Sequence, residues 1–198
     1  MSPVPAMPPG QSESMTPVPP PAGLAKAIAD DLLYEVVDGQ ILEKNRGARE
    51  MAIASILGGY LSQFARANRL GRALIECLFR INVAQDMQLR PDVAFVSHAR
   101  WPYNRRLPDV PAWDMVPDLA VEVISASDMM SAVQRRVHDY FRAGVARVWV
   151  VYHEQAEVYA YSNPRQIEVV STGQELDGGD LLPGFRLPVV VFFEDDPE

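Results

Sequence analysis

Cysteine is almost missing from this 198-residue chain: Cys77 stands alone, so neither an internal disulfide nor a cysteine-built zinc site can form. A lone thiol suits a reducing compartment, and a cytoplasmic location is the expectation. Histidine is sparse as well, and His98, His138 and His153 lack the spacing of zinc ligands. Lysine is scarcer still, since of 18 basic residues only Lys26 and Lys44 are lysine. No apolar run approaches the roughly 18 residues of a membrane-spanning helix, and neither end has the charged and apolar regions of a signal peptide. G-x-G-x-x-G, Walker and G-x-S-x-G patterns are absent, which removes support for dinucleotide, nucleotide-triphosphate or serine-hydrolase chemistry. Basic excess is missing too. A net charge of −8 argues against non-specific coating of nucleic acid, although it leaves room for a local basic cleft.

What is present suits one globular domain. Hydrophobic residues make up 48% of the chain, enough for a sizeable core. Residues 1–22 hold eight prolines among small and polar residues and read as a disordered, polyproline-like tail, leaving residues 23–198 as a single domain. The last five residues, EDDPE, read as a solvated acidic end. YEVVDGQILEK is two β-rich runs around Asp38-Gly39, a strong hairpin signal. Ile53, Ile56, Leu57, Tyr60, Leu61 and Phe64 then repeat with the helical period, giving an amphipathic helix from Gly47 to about Asn68. RALIECLFRINV, PDVAFVS and DMVPDLAVEVIS read as strands, and ASDMMSAVQRRVHDYFRAG as a second helix stopping at Gly144. ARVWVVYH, EVYAYSN and QIEVVST follow as further strands. Strand, helix and buried strand in succession predict a βαβ crossover inside a mixed α/β sheet flanked by helices.

Within that frame the acids stand out. Glu122 interrupts an apolar strand, and alternation puts it on one face with Ala120 and Ile124, while Val121 and Val123 take the other. Both faces are apolar, so the strand is central and covered on both sides. Asp92 opens a comparable run and shares its side with Ala94 and Val96. Glu50 falls inside the buried stripe of the first helix at about 100° per residue. Each acid alone has an ordinary reading: a strand-end carboxylate paired with arginine, or a first-turn glutamate favoured by the helix dipole. Together, Glu50, Asp92 and Glu122 make a candidate Mg²⁺ site, since that ion takes oxygen ligands. On the second helix, Arg136 lies at the edge of the stripe of Val133, Val137, Tyr140 and Phe141, positioned to reach back toward Glu122, while Arg135 points away. Ser125 and Ser127 read as helix caps, and Tyr34, Tyr140, Trp149 and Tyr161 as core. The three histidines read as structural or solvated.

These pieces in this order resemble the Uma family of restriction endonucleases, a branch of the PD-(D/E)xK nuclease superfamily. The matching segments are YEVVDGQILE, EMAI, LRPDVAFVS, PDLAVEVISASD, DYFRAGVARVWVV and LLPGFRLPVVVFF, from Tyr34 to Phe193. The resemblance implies a restriction-endonuclease-like core and hydrolysis of DNA phosphodiester bonds with Mg²⁺, or Mn²⁺ in its place. It casts Asp92 and Glu122 as the strand acids of the motif, Glu50 as the acid of the first helix, and all three as metal ligands. The family's lysine is displaced onto the second helix, four residues before the tyrosine, and Arg136 occupies that position. Ile124 fills the more usual motif position. Arginine keeps its proton and cannot act as a base, so the alternative is a catalytically degraded nuclease fold that binds nucleic acid or protein. A homodimer joining two clefts is a further expectation, since it would offset the acidic balance.

Overall fold

Asp38 and Gly39 take φ of 51° and 73° and close a two-residue turn between β1 (Tyr34–Val37) and β2 (Gln40–Glu43). Left-handed angles at both positions match the twist of the flanking strands, which is why Asp-Gly marks such hairpins. The computed structural model describes residues 21–29, 32–44, 46–82, 85–125 and 128–193. The proline-rich stretch through residue 20, Ser127 and the acidic end from residue 194 lie outside the described residues. A short helix, α1 (Leu24–Ala29), precedes the hairpin.

The long helix α2 (Ala48–Ala67) runs from Gly47 to Asn68 at its caps, as the periodicity implies. Its buried edge is Ile53, Ala54, Leu57, Gly58, Leu61 and Ala65, while Tyr60 is exposed. The buried face is therefore turned from the sequence stripe toward the small residues. Close approach explains this, because a Cβ at Gly58 would lie 2.9 Å from the Ile75 side chain. RALIECLFRINV is two strands, β3 (Gly71–Ile75) and β4 (Phe79–Asn82), separated where Glu76 takes φ of 51°. β5 (Met87–Leu89), β6 (Val93–Ser97) and β7 (Leu119–Ile124) follow. Helix α3 (Met130–Ala143) ends at Gly144, whose φ of 99° allows its N–H to turn back to the Phe141 and Tyr140 carbonyls. Its N-cap position is held by Met129, and Ser125 instead bonds Asp128 through both its N–H and its hydroxyl. The chain closes with β8 (Arg147–Tyr152), β9 (Glu157–Asn163), β10 (Gln166–Ser171), β11 (Glu175–Asp177) and β12 (Arg186–Pro188).

The main sheet has the order β10-β9-β8-β7-β6-β3, with β7 and β8 parallel and joined through α3. This is the expected βαβ crossover, inside a mixed sheet whose other described pairs are antiparallel. A second sheet of order β2-β1-β5-β4 carries the hairpin, and β11 pairs with β12. All six residues of β7 are buried. Leu119, Val121 and Val123 pack with Ile53, Leu57 and Leu61 of α2 on one face. Ala120 and Ile124 pack with Ala94, Val96 and the α3 residues Val133, Val137 and Tyr140 on the other. The face carrying Asp92 and Glu122 is thus the α3 face, and α2 covers the opposite one. That difference decides which side chains can meet.

Candidate active site

Antiparallel register pairs Val93 with Val121, so the next step along each strand brings Asp92 beside Glu122 on the α3 face. Both are almost completely buried. The Asp92 Oδ2 accepts the backbone N–H of Val123 at 2.6 Å, which fixes one carboxylate against the other's strand. Glu122 Oε1 accepts the Tyr140 hydroxyl at 2.7 Å from α3. Two buried carboxylates held this close need positive charge between them.

Three cations supply it. Arg136 reaches back from α3 as the angular count implies, donating Nη1 to Glu122 Oε2 at 2.9 Å and Nη2 to Glu35 Oε2 at 2.8 Å. Arg135 on the same helix is exposed. Arg46 donates Nε to Asp92 Oδ1 at 2.8 Å and Nη2 to Glu122 Oε2 at 3.2 Å, bridging the pair. Lys44, on the segment leaving β2, sets its ammonium 2.8 Å from Asp92 Oδ1 and 3.8 Å from Glu122 Oε2, and donates to the Arg90 carbonyl. Burial alone would push the Glu122 carboxyl upward, but Arg136, Lys44 and Arg46 outweigh it and hold Glu122 at about 2. Burial, with the Glu122 and Glu35 charges, raises the Tyr140 phenol well above its ordinary range, so it remains a donor.

Glu50 goes elsewhere. It is buried as expected, but its helix packs on the other face of the sheet, where Glu50 Oε1 meets His153 Nε2 at 3.2 Å. Among the described residues, no three His, Cys, Asp or Glu side chains are grouped so as to hold a metal ion. His98 packs edge-on against Tyr103, and His138 is exposed. Tyr34, Tyr140, Trp149 and Tyr161 are all buried.

Four site residues escaped the sequence reading: Glu35, Lys44, Arg46 and Glu76. The hairpin and the segment after it contribute the first three. Glu35 is 1% exposed in a strand pattern that would otherwise put a glutamate in water. Lys44 is one of only two lysines, which was its only sequence signal. Glu76, at the bend between β3 and β4, has its Oε2 3.8 Å from the Lys44 ammonium and without a hydrogen-bond partner among the described residues. Burial, helped by the neighbouring Asp92 carboxylate, pushes Glu76 up to about 7 against the pull of Lys44.

Whether a divalent ion suits these residues is tested by the cation already there. The Lys44 ammonium is a stand-in, held against Asp92 with Glu122 and Glu76 close by, so the locus is built for positive charge and its donors are all oxygen. One or two carboxylates with water and substrate phosphate are the usual Mg²⁺ environment. Asp92 and Glu122 therefore fit as ligands, provided the ammonium or the Arg46 guanidinium gives way.

A mixed sheet whose α3 face carries two adjoining strand acids, backed by basic side chains, is the architecture of a restriction-endonuclease-like domain. The family described as "putative restriction endonuclease", Uma2, matches residues 23–190, and the chain belongs to that family. Among solved structures, the chain is similar to a putative nuclease of the DUF820 family from Anabaena variabilis, with a TM-score of 0.70. Identity is 18% over 81% of this chain and 89% of the other, a likeness of fold. No curated protein matches the chain. No described helix is long and apolar enough to cross a membrane.

Proposed function

We propose that the chain is a Mg²⁺-dependent endonuclease that hydrolyses DNA phosphodiester bonds at Asp92 and Glu122. The observation that carries this reading is the pair of buried carboxylates sharing one cation locus at the end of β6 and β7. Asp92 and Glu122 would hold the ion. When bound, such an ion lowers the pKa of a water molecule and neutralises charge on the phosphate. Tyr140 and the Val123 N–H fix the two carboxylates, so the donor set is preorganised. Arg136 takes the position of the family's lysine, but as a permanent cation. It can stabilise a phosphate of growing negative charge and cannot remove a proton. Lys44 is the amine nearest the acids, and on this reading it orients toward the substrate phosphate once it leaves Asp92. Glu50, paired with His153 on the other face, stands outside the ion's inner ligands and keeps at most a supporting place.

The test is conversion of supercoiled plasmid to nicked or linear DNA in Mg²⁺ or Mn²⁺. Cleavage by the wild type, lost in Asp92→Asn and Glu122→Gln with folding checked by circular dichroism, supports the reading. Cleavage that survives both substitutions refutes the site. A second reading has its own support: the carboxylate oxygens of Asp92 and Glu122 already accept bonds from the chain. A saturated network of this kind suits a nuclease fold that has lost catalysis and serves to bind nucleic acid or protein. Under it no metal elicits cleavage, and Arg136→Lys does not restore any.

A further inference from the structure

One surface of this acidic chain is strongly basic. Arg66 in the last turn of α2, Arg69 just beyond it, Arg72 on β3, and Arg105 and Arg106 in the β6–β7 connection line two adjoining grooves. The grooves share Arg72, Tyr103 and Leu107, so they form one continuous surface. None of these five guanidinium groups forms an ion pair among the described residues, and Asp109 is the one carboxylate in the lining.

Two of the arginines are held in place. Arg72 Nη2 donates to the carbonyls of Tyr103 at 2.9 Å and Arg105 at 3.3 Å, which ties the loop to β3. The Arg105 guanidinium lies 3.7 Å from the centre of the Trp101 ring. Between them Tyr103 is 75% exposed, with its ring perpendicular to that of His98. Exposing a tyrosine ring to this extent beside unpaired positive charge leaves an aromatic platform flanked by phosphate-binding forks. Planar guanidinium groups match phosphate oxygens two at a time, and a free aromatic face stacks on an unpaired base.

We propose that this surface binds the phosphodiester backbone of a nucleic-acid strand, separately from the Asp92–Glu122 site. The two lie at opposite ends of β6. Asp92 precedes its first residue, whereas Ser97 at the other end pairs with Gly71 beside Arg72. At about 3.4 Å per residue, five residues of strand separate them by roughly 17 Å. Recognition here requires no cleavage, so the proposal stands or falls independently of the endonuclease reading.

The experiment is fluorescence-anisotropy titration of labelled single-stranded and duplex oligonucleotides with the full chain in EDTA, where metal-dependent cleavage is silent. Saturable binding is expected, weakening steeply with salt because each neutralised phosphate releases counterions. Arg66→Glu/Arg106→Glu reverses two exposed charges that form no ion pair among the described residues, and it is expected to weaken binding by about tenfold or more. It is also expected to lower the salt slope by about one to two. Arg66→Gln/Arg106→Gln gives an intermediate loss, and Arg165→Glu, an equal charge change on the β9–β10 turn, changes affinity by less than about twofold. The proposal is overturned if the wild type shows no saturable binding. It is equally overturned if the double reversal binds as the wild type does, or if polyglutamate binds the surface and the oligonucleotides do not.

Discussion

Replacing Lys44 by methionine probes the cation locus directly, because methionine keeps much of the stem and removes only the charge. The Lys44 side chain is 4% exposed, and its ammonium lies 2.8 Å from Asp92 Oδ1, with Glu122 and Glu76 each at 3.8 Å. Taking one partner out of a buried ionic network leaves uncompensated charge, which costs about 3–5 kcal/mol. Arg46 and Arg136 still face the acids, so the lower end of that range is expected, or about 3 kcal/mol. For a chain of this size each kcal/mol moves Tm by roughly 2–4 °C, so Tm falls by about 6–12 °C in EDTA. The decisive part is the rescue. A divalent ion that binds the folded state alone stabilises it by RT ln(1 + [L]/Kd). Without the competing ammonium, Mg²⁺ or Mn²⁺ is expected to raise Tm of the variant more than that of the wild type. Differential scanning fluorimetry across a metal titration measures both effects. A variant as stable as the wild type in EDTA, or one whose Tm ignores both metals, refutes the reasoning.

Tyr140→Phe removes a buried 2.7 Å hydrogen bond to an ionised carboxylate and is expected to cost about 1.5–3 kcal/mol in urea unfolding. The Glu122 carboxyl, held down at about 2, contributes stability that is present above its ordinary value of 4.5 and lost as pH falls toward 2. Acid unfolding of Glu122→Gln should therefore be shallower over that window. Glu76 has the opposite sign: its carboxyl is raised to about 7, so its contribution is complete below 4.5 and lost as pH rises through 7. Glu76→Gln should flatten the pH dependence of unfolding between those values, and an unchanged profile would count against the burial of this acid. Gly71→Ala would push a methyl group within 2.3 Å of the Val96 carbonyl oxygen and 2.6 Å of the Phe95 ring. A loss of about 1–3 kcal/mol is expected, read by the same unfolding assay.

Local pattern carried much of this fold, and the exceptions have physical causes. The Asp38-Gly39 hairpin, the Gly144 stop and the crossover through α3 depend on short-range chemistry and appear where the sequence implies them. Strand alternation puts Asp92 and Glu122 on matching faces, and the helical angle aims Arg136 at Glu122. Glu50 shows the limit of that reasoning. Periodicity says which side of a helix is buried, yet it does not say which face of the sheet receives it, and α2 lies on the far face. Lys44, Arg46 and Glu35 were hidden for a related reason. Lys44 and Arg46 reach the acids, and Glu35 reaches Arg136, because the hairpin sheet is completed by the three-residue strand β5, a long-range pairing that no local period reveals. The residue type of Ser125 implies a cap, but its hydroxyl bonds Asp128 and the helix begins later, at Met130.

Crystals grown in Mn²⁺ test most directly whether Asp92 and Glu122 form one cation site. An anomalous peak in contact with both carboxylates, with the Lys44 ammonium displaced from Asp92, is the expected result. Crystals that diffract well but show no peak there, with Lys44 still bonded to Asp92, would contradict it.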